Sequence, residues 1–241
     1  MNKSVIIILC SFLMFTSLLG KTQYKEVVNS KDLVVLIHGL GDSPTSMFRL
    51  QKKMKDANYS VLNFEYKSTK WTMDSIVYEL DKSIQSYENK YDSIYFVVHS
   101  MGTFVVRSYL AKHQNMKFQN IVMIAPPNKG SILAEKLNEL KLFEWGFGES
   151  GQKLGKENDD FWRNYPRPKI PFGIIAGGID TKKGLNPMVP GDDDGVVGVN
   201  ETVLRGYSDI IKIHGLHSSL PWQEKVIAQA LYFMKNEEFK H

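Results

Sequence analysis

The sequence predicts an α/β fold, with a mostly parallel central sheet, helices on both faces and a small cap insertion. Two observations carry that prediction. From Lys31 onward, short apolar runs alternate with amphipathic runs at helical spacing, the pattern of strands joined by helical crossovers. The short runs are also apolar at consecutive positions, as strands covered on both faces require.

The elements follow in chain order. Leu33–Ile37 (LVVLI) ends at His38-Gly39 and reads as a first buried strand. Pro44–Ala57 places Met47, Leu50 and Met54 on one helical face and opens with Ser43-Pro44, an N-cap followed by an N1 proline. Ser60–Phe64 is the second strand. Asp74–Tyr87 spaces Ile76, Val77, Leu80 and Ile84 for a helix. Ser93–Val98 is the third strand, Gly102–Lys112 a helix, and Asn120–Ile124 a fourth strand that stops at Ala125-Pro126-Pro127. Phe172–Ala176 and Asp209–Ile213 are the fifth and sixth strands, and Trp222–Met234 is a closing helix. Residues 131–169 break the alternation. They begin as a helix (Leu133, Leu137, Leu140) and then carry Phe143, Trp145, Phe147, Phe161, Trp162 and Tyr165 among glycines and charges. That length exceeds a plain crossover. The stretch is expected to lie over the carboxyl ends of the strands, where open α/β sheets bind ligands.

Residues 1–20 form a separate unit. Lys3 precedes an uncharged, mostly apolar run from Val5 to Leu19, closed by Gly20. Fifteen or so residues fit the apolar region of a signal peptide better than a membrane span, which needs about 20. The expectation is an exported protein, periplasmic or secreted, with a retained N-terminal membrane anchor as the alternative. Residues 21–241 then form one domain. The only cysteine of the chain, Cys10, lies in the leader, which excludes an internal disulfide framework and multi-cysteine metal sites. The formal charge of +4 is too small, and the basic residues too scattered, for nucleic acid to be a partner. The balance of 43% hydrophobic and 23% charged residues excludes a disordered chain.

Four local signals carry chemistry. In Val97-Val98-His99-Ser100-Met101-Gly102 a strand ends, a serine follows, and a helix starts at once. This is a nucleophile elbow, which exposes Oγ on a tight turn and aims the next N–H, that of Met101, at a developing oxyanion. Gly102 lets the helix pack close to the strand. After the first strand, His38-Gly39-Leu40-Gly41 offers Leu40 N–H as a second oxyanion donor. His38 reads as a structural or cleft-lining residue. Asp192-Asp193-Asp194-Gly195 follows the fifth strand and supplies a candidate acid, with Asp194 preferred and Asp180 its rival. Asp192 and Asp193 read either as solvated or as helping to hold a calcium ion; clustered carboxylates alone are weak grounds for calcium, and no metal or cofactor is expected. Finally, His214-Gly215-Leu216-His217 follows the sixth strand. His217, in the loop, is preferred to His214 as the base that a serine hydroxyl needs.

The blocks HGLGDSPTSM, VVHSMGTFVVRSYL, IAPPNKGS, IPFGIIAGG, VPGDDDGVVGVNET and HSSLP resemble those of the α/β-hydrolases, in their lipase- and esterase-like branch. The resemblance runs from about Leu33 to the last helix and is greatest to bacterial lipase-like members. Those members commonly carry a non-glycine residue where Val98 stands; Thr103 occupies a frequent glycine position. The resemblance implies Ser100 as nucleophile, Asp194 as acid, His217 as base, and Leu40 and Met101 as oxyanion-hole N–H groups. The expected activity is serine ester hydrolysis of lipids or other small acyl compounds through an acyl-enzyme. An acyltransferase or thioesterase on the same acyl-enzyme is the alternative. A binding protein on the same fold is the remote one, since no triad member is missing.

Overall fold

The computed structural model describes residues 31–87, 89–115, 117–134 and 165–241. Six strands appear among them: β1 (Asp32–Ile37), β2 (Ser60–Phe64), β3 (Ser93–His99), β4 (Phe118–Ile124), β5 (Phe172–Gly178) and β6 (Asp209–His214). They form one sheet in the order β2-β1-β3-β4-β5-β6, and every neighbouring pair is parallel. The helices are α1 (Phe48–Asp56), α2 (Met73–Gln85), α3 (Gly102–Lys112), α4 (Val199–Thr202) and α5 (Glu224–Asn236).

Strand alternation divides the core into two layers. Leu33, Val35 and Ile37 pack with Ile76, Val77 and Leu80 of α2 and with Phe104 and Val105 of α3. Val34 and Leu36 pack on the opposite face with Leu50 and Met54 of α1 and with Val226 and Ile227 of α5. Burying both faces makes the central strands continuously apolar, and each fully buried aliphatic side chain contributes about 1.5–3 kcal/mol. The edge strands β2 and β6 are half exposed over most of their length.

All six strands stand where the sequence places them to within two residues, β4 beginning at Phe118 and β5 running on to Gly178; the helix starts differ in how they are built. The first helix divides into a 3₁₀ turn, Pro44–Met47, followed by α1. Pro44 holds the N1 place, but the Ser43 side chain caps nothing. Ser46 supplies both groups to Ser43, its N–H at 3.0 Å and its hydroxyl at 2.9 Å donating to the Ser43 carbonyl. Thr72 instead caps α2, its hydroxyl accepting from Ser75 N–H. The closing helix begins two residues later than expected because a 3₁₀ turn, His217–Trp222, precedes it.

Ile132–Ala134 turn helically, with Ser131 Oγ accepting from Ala134 N–H at 3.1 Å. The rest of the expected cap up to residue 164 lies outside the described residues, as do Phe143, Trp145, Phe147, Phe161, Trp162 and the leader at 1–20. Tyr165 is buried, its ring 4.7 Å from that of Phe104. Arg107 of α3, also buried, fastens the flanks of this stretch. Its guanidinium donates to Asn128 O, Asn128 Oδ1, Tyr165 O and Pro166 O. Among the described residues no helix is long and apolar enough to cross a membrane.

Candidate active site

The strand order places the candidate site. From β1 the chain steps outward to β2, then returns to lay β3 on the other side of β1. The connections leaving β1 and β3 diverge to opposite faces, and a crevice opens between their carboxyl ends. The two glycine- and serine-bearing turns singled out in the sequence both lie there.

Ser100 follows β3 directly and has φ 51°, in the left-handed region. A side chain at such an angle costs on the order of 1–3 kcal/mol and persists because its surroundings hold it. Ser100 N–H donates to Ile124 O of β4 at 2.9 Å, and Ser100 O accepts from Thr103 N–H at 3.0 Å. The strand thus ends and α3 begins within two residues. Gly102 makes this possible: a Cβ there would lie 2.6 Å from Ile37 O and 2.8 Å from His38 O. The turn after β1 is equally close, since a Cβ at Gly39 would approach Ser100 Cβ to 3.1 Å. Among the described residues, neither Leu40 N–H nor Met101 N–H donates to a backbone or side-chain acceptor. Gly41 N–H, in contrast, is taken up by Ser68 Oγ at 2.9 Å.

His38 is fully buried and stacks on Tyr66, with ring centroids 4.1 Å apart. Tyr66 OH donates to His38 O at 2.6 Å. Burial lowers the His38 pKa. His38 lies buried beneath the turn, the structural one of the two places the sequence leaves open for it.

The three adjacent aspartates have three different surroundings. Asp194 Oδ1 accepts from Val196 N–H and Val197 N–H at 3.0 and 2.8 Å. Its Oδ2 lies 2.8 Å from His217 Nδ1. The pair is sequestered, with 1% of the Asp194 side chain and 12% of the His217 side chain exposed. Because a carboxylate accepts, Nδ1 carries a proton, so the neutral form of the ring is the one with its lone pair on Nε2. His217 N–H also donates to Asp194 O at 2.9 Å. Asp193 is buried, its carboxylate accepting from Leu185, Asn186 and Gly195 N–H groups. Asp192 accepts from Ile179 N–H and Lys212 Nζ. Asp193 is not solvated: the loop folds back on itself and backbone N–H groups take its carboxylate, whereas Asp192 keeps part of its surface in solvent.

Asp180, the rival acid, is exposed and serves a different histidine. Its Oδ2 is 3.1 Å from His214 Nδ1, and its Oδ1 is 2.6 Å from Lys212 Nζ. The lysine ammonium, then His214, hold its carboxyl below the usual carboxylate range. The structure therefore brings Asp194, not Asp180, to His217. Glycines again allow the approach, since a Cβ at Gly177 would lie 2.8 Å from Asp194 Cβ.

Sequence reasoning passed over two residues here. Glu201 is buried, and its carboxylate accepts from Ile132 N–H at 2.7 Å and Gly198 N–H at 2.6 Å. It ties the acid loop to the chain entering the 131–169 stretch. Burial raises its pKa. An acidic residue three places after Gly198, at the start of a helix, is the one sequence signal that pointed to it. His99 is the other. Its buried ring lies 4.7 Å from that of His217, a contact between β3 and a loop 118 residues away that no local pattern announces.

The alpha/beta hydrolase fold family matches residues 32–153, just over half of the chain. No curated protein matches it. Among solved structures, the mature lipase BlEst2 from Bacillus licheniformis is similar at TM-score 0.67 and 18% identity, covering 85% of this chain and 91% of that one. A monoacylglycerol lipase from Paleococcus ferrophilus is similar at TM-score 0.57 and 16% identity, covering 85% and 94%. Phospholipase PlaB from Legionella pneumophila is similar at TM-score 0.56 and 18% identity over 71% of this chain, which spans only 44% of that enzyme. Such identities speak for the fold alone. The family match, the six-stranded parallel sheet and the serine turn at its switch point agree, and the chain belongs to the alpha/beta hydrolase fold family.

Proposed function

We propose that this protein is a serine hydrolase of carboxylic esters, with Ser100 as nucleophile, His217 as base and Asp194 as acid. The observation that carries the reading is the buried 2.8 Å contact between Asp194 Oδ2 and His217 Nδ1. It fixes the tautomer whose Nε2 can take a proton. In the first half-reaction His217 Nε2 accepts the Ser100 hydroxyl proton as Oγ attacks the acyl carbonyl. Leu40 and Met101 N–H groups receive the oxyanion. The tetrahedral intermediate collapses to the acyl-enzyme, and the imidazolium returns the proton to the departing alkoxide. Water then attacks the acyl-enzyme with the same imidazole as base, releasing the acid and restoring the serine. Asp194 stays ionised throughout and stabilises the imidazolium.

The named neighbours include a lipase, a monoacylglycerol lipase and a phospholipase, which supports an acyl lipid as the substrate class. Residues 1–20 support export or a membrane anchor. Fluorophosphonate labelling of the full chain, with peptide mapping, tests the chemistry. One adduct on Ser100, absent in Ser100→Ala, is expected, together with hydrolysis of medium-chain p-nitrophenyl esters. A folded protein that takes no adduct, with or without detergent, overturns the reading.

A further inference from the structure

His99 stands immediately before the proposed nucleophile, yet nothing in the acyl chemistry uses it. It is 1% exposed, and a buried imidazole costs desolvation unless it is neutral and bonded. Its Nε2 lies 3.2 Å from the main-chain oxygen of His217. A carbonyl only accepts, so Nε2 carries the proton and donates. Nδ1 is then a bare lone pair. It has no hydrogen-bond partner among the described residues, and Asp42 Oδ2 stands 3.8 Å away, beyond hydrogen-bond reach. Burial, and then the neighbouring His217, hold the His99 pKa well below the ordinary imidazole value. This agrees with a ring that is neutral at neutral pH.

The consequence lies in the geometry of His217. Asp194 O holds its main-chain N–H, and the Asp194 carboxylate holds Nδ1. Both contacts tie the base to the acid loop, and neither refers to Ser100. The His99 bond is of another kind, because His99 and Ser100 are consecutive residues. It fastens the base's main chain to the strand that carries the nucleophile. The His99 ring, tilted 42° against that of His217, also limits how far the imidazole can settle towards the sheet.

We propose that His99 is a positioning residue, which sets the spacing between His217 and Ser100 by donating Nε2–H to the main-chain carbonyl of His217. The inference rests on the triad reading for its catalytic consequence, but not for the bond itself.

The experiment has two arms. The first is a long-range ¹H–¹⁵N spectrum of the wild-type protein at neutral pH, which reads the tautomer of each histidine. His99 is expected as the neutral Nε2–H form. An Nδ1–H form or a charged ring overturns the proposal. The second compares His99→Leu, which keeps bulk and loses the donor, with His99→Gln, whose amide nitrogen sits near the place of Nε2. Leu is expected to slow fluorophosphonate labelling and kcat by about 10- to 100-fold with little change in KM, the scale of a misplacement of about 1 Å. Gln is expected to restore most of the loss. Wild-type rates in the Leu variant, or equal losses in both variants, overturn it. Should the Leu variant not fold, His99→Asn replaces it, because its amide reaches only to the Nδ1 position. If the wild-type chain itself takes no adduct, the acyl chemistry fails while the tautomer arm still decides the bond.

Discussion

A single carboxylate oxygen separates the two acids that the sequence offers. Asp194 and Asp180 both follow β5, and both meet a histidine. Asp194 is sequestered and has its second oxygen filled by two backbone N–H groups; Asp180 is exposed and shares its charge with Lys212. An orienting acid must hold one imidazole tautomer without being drawn elsewhere, and only Asp194 meets that demand. Asp194→Asn keeps the volume and lets the amide donate to Nδ1, so that Nε2 carries the proton and cannot accept one. The expected outcome is a fall in kcat of about 10⁴-fold, with the fold retained, read by ester hydrolysis beside a thermal melt. Asp180→Asn is expected to leave kcat near wild type. Equal effects in the two variants would falsify the assignment. Ser100 and His217 were readable as candidates because each follows an apolar run closely, and Asp194 because it stands in an acidic, glycine-flanked loop between the fifth and sixth strands. His99 and Glu201 were not, because what marks them is a contact across the sheet.

At the level of elements, the strands were readable to within two residues, whereas what caps each helix start was not. A buried parallel strand writes itself as consecutive β-branched and aliphatic residues, and LVVLI or FGIIA has no competing reading at that length. A helix start depends on which hydroxyl captures which backbone group. Ser43, the cap the sequence suggests, accepts nothing from its helix, while Thr72, which the sequence did not single out, caps the next one. Gly102 is the one glycine whose role could be stated beforehand, because a serine on a tight turn leaves no room between the next helix and the neighbouring strand. The distances give that role a measurable size. A methyl group at 102 meets two backbone oxygens, at 2.6 and 2.8 Å, and neither can swing away as a side chain would. Gly102→Ala is therefore expected to push α3 off β1. The cost is about 1–3 kcal/mol of stability, and Met101 N–H moves out of line with its partner donor. The midpoint of urea unfolding reads the first effect, and the rate of fluorophosphonate labelling reads the second. A variant with wild-type values for both would mean that α3 does not depend on this close approach.

Over the whole molecule, two buried imidazoles link stability to pH. His38 lies under the turn after β1, facing Tyr66, with Asp42 and Glu65 near enough to act on its charge. His99 lies under the elbow after β3, facing His217, Asp42 and His38. Burial depresses both pKa values below the ordinary 6.5. In the unfolded chain these rings take up protons as the pH falls through about 6.5; in the folded chain they do so only at lower pH. The unfolded state thus binds more protons in that interval, so stability is full above it and declines as the solution is acidified. Each fully linked imidazole steepens the decline by at most about 1.4 kcal/mol per pH unit. Glu201 works in the opposite sense. Its raised pKa contributes stability below its ordinary 4.5, and that contribution is lost as the pH rises through the folded value. Acidification from neutral pH to about pH 5 is therefore expected to lower Tm, with the buried histidines outweighing one carboxyl. His99→Gln removes one of the two imidazoles and keeps an amide donor, so its Tm against pH should be flatter than wild type over the same interval. Parallel curves would show that the ring beneath the elbow exchanges protons as freely in the folded protein as it does unfolded.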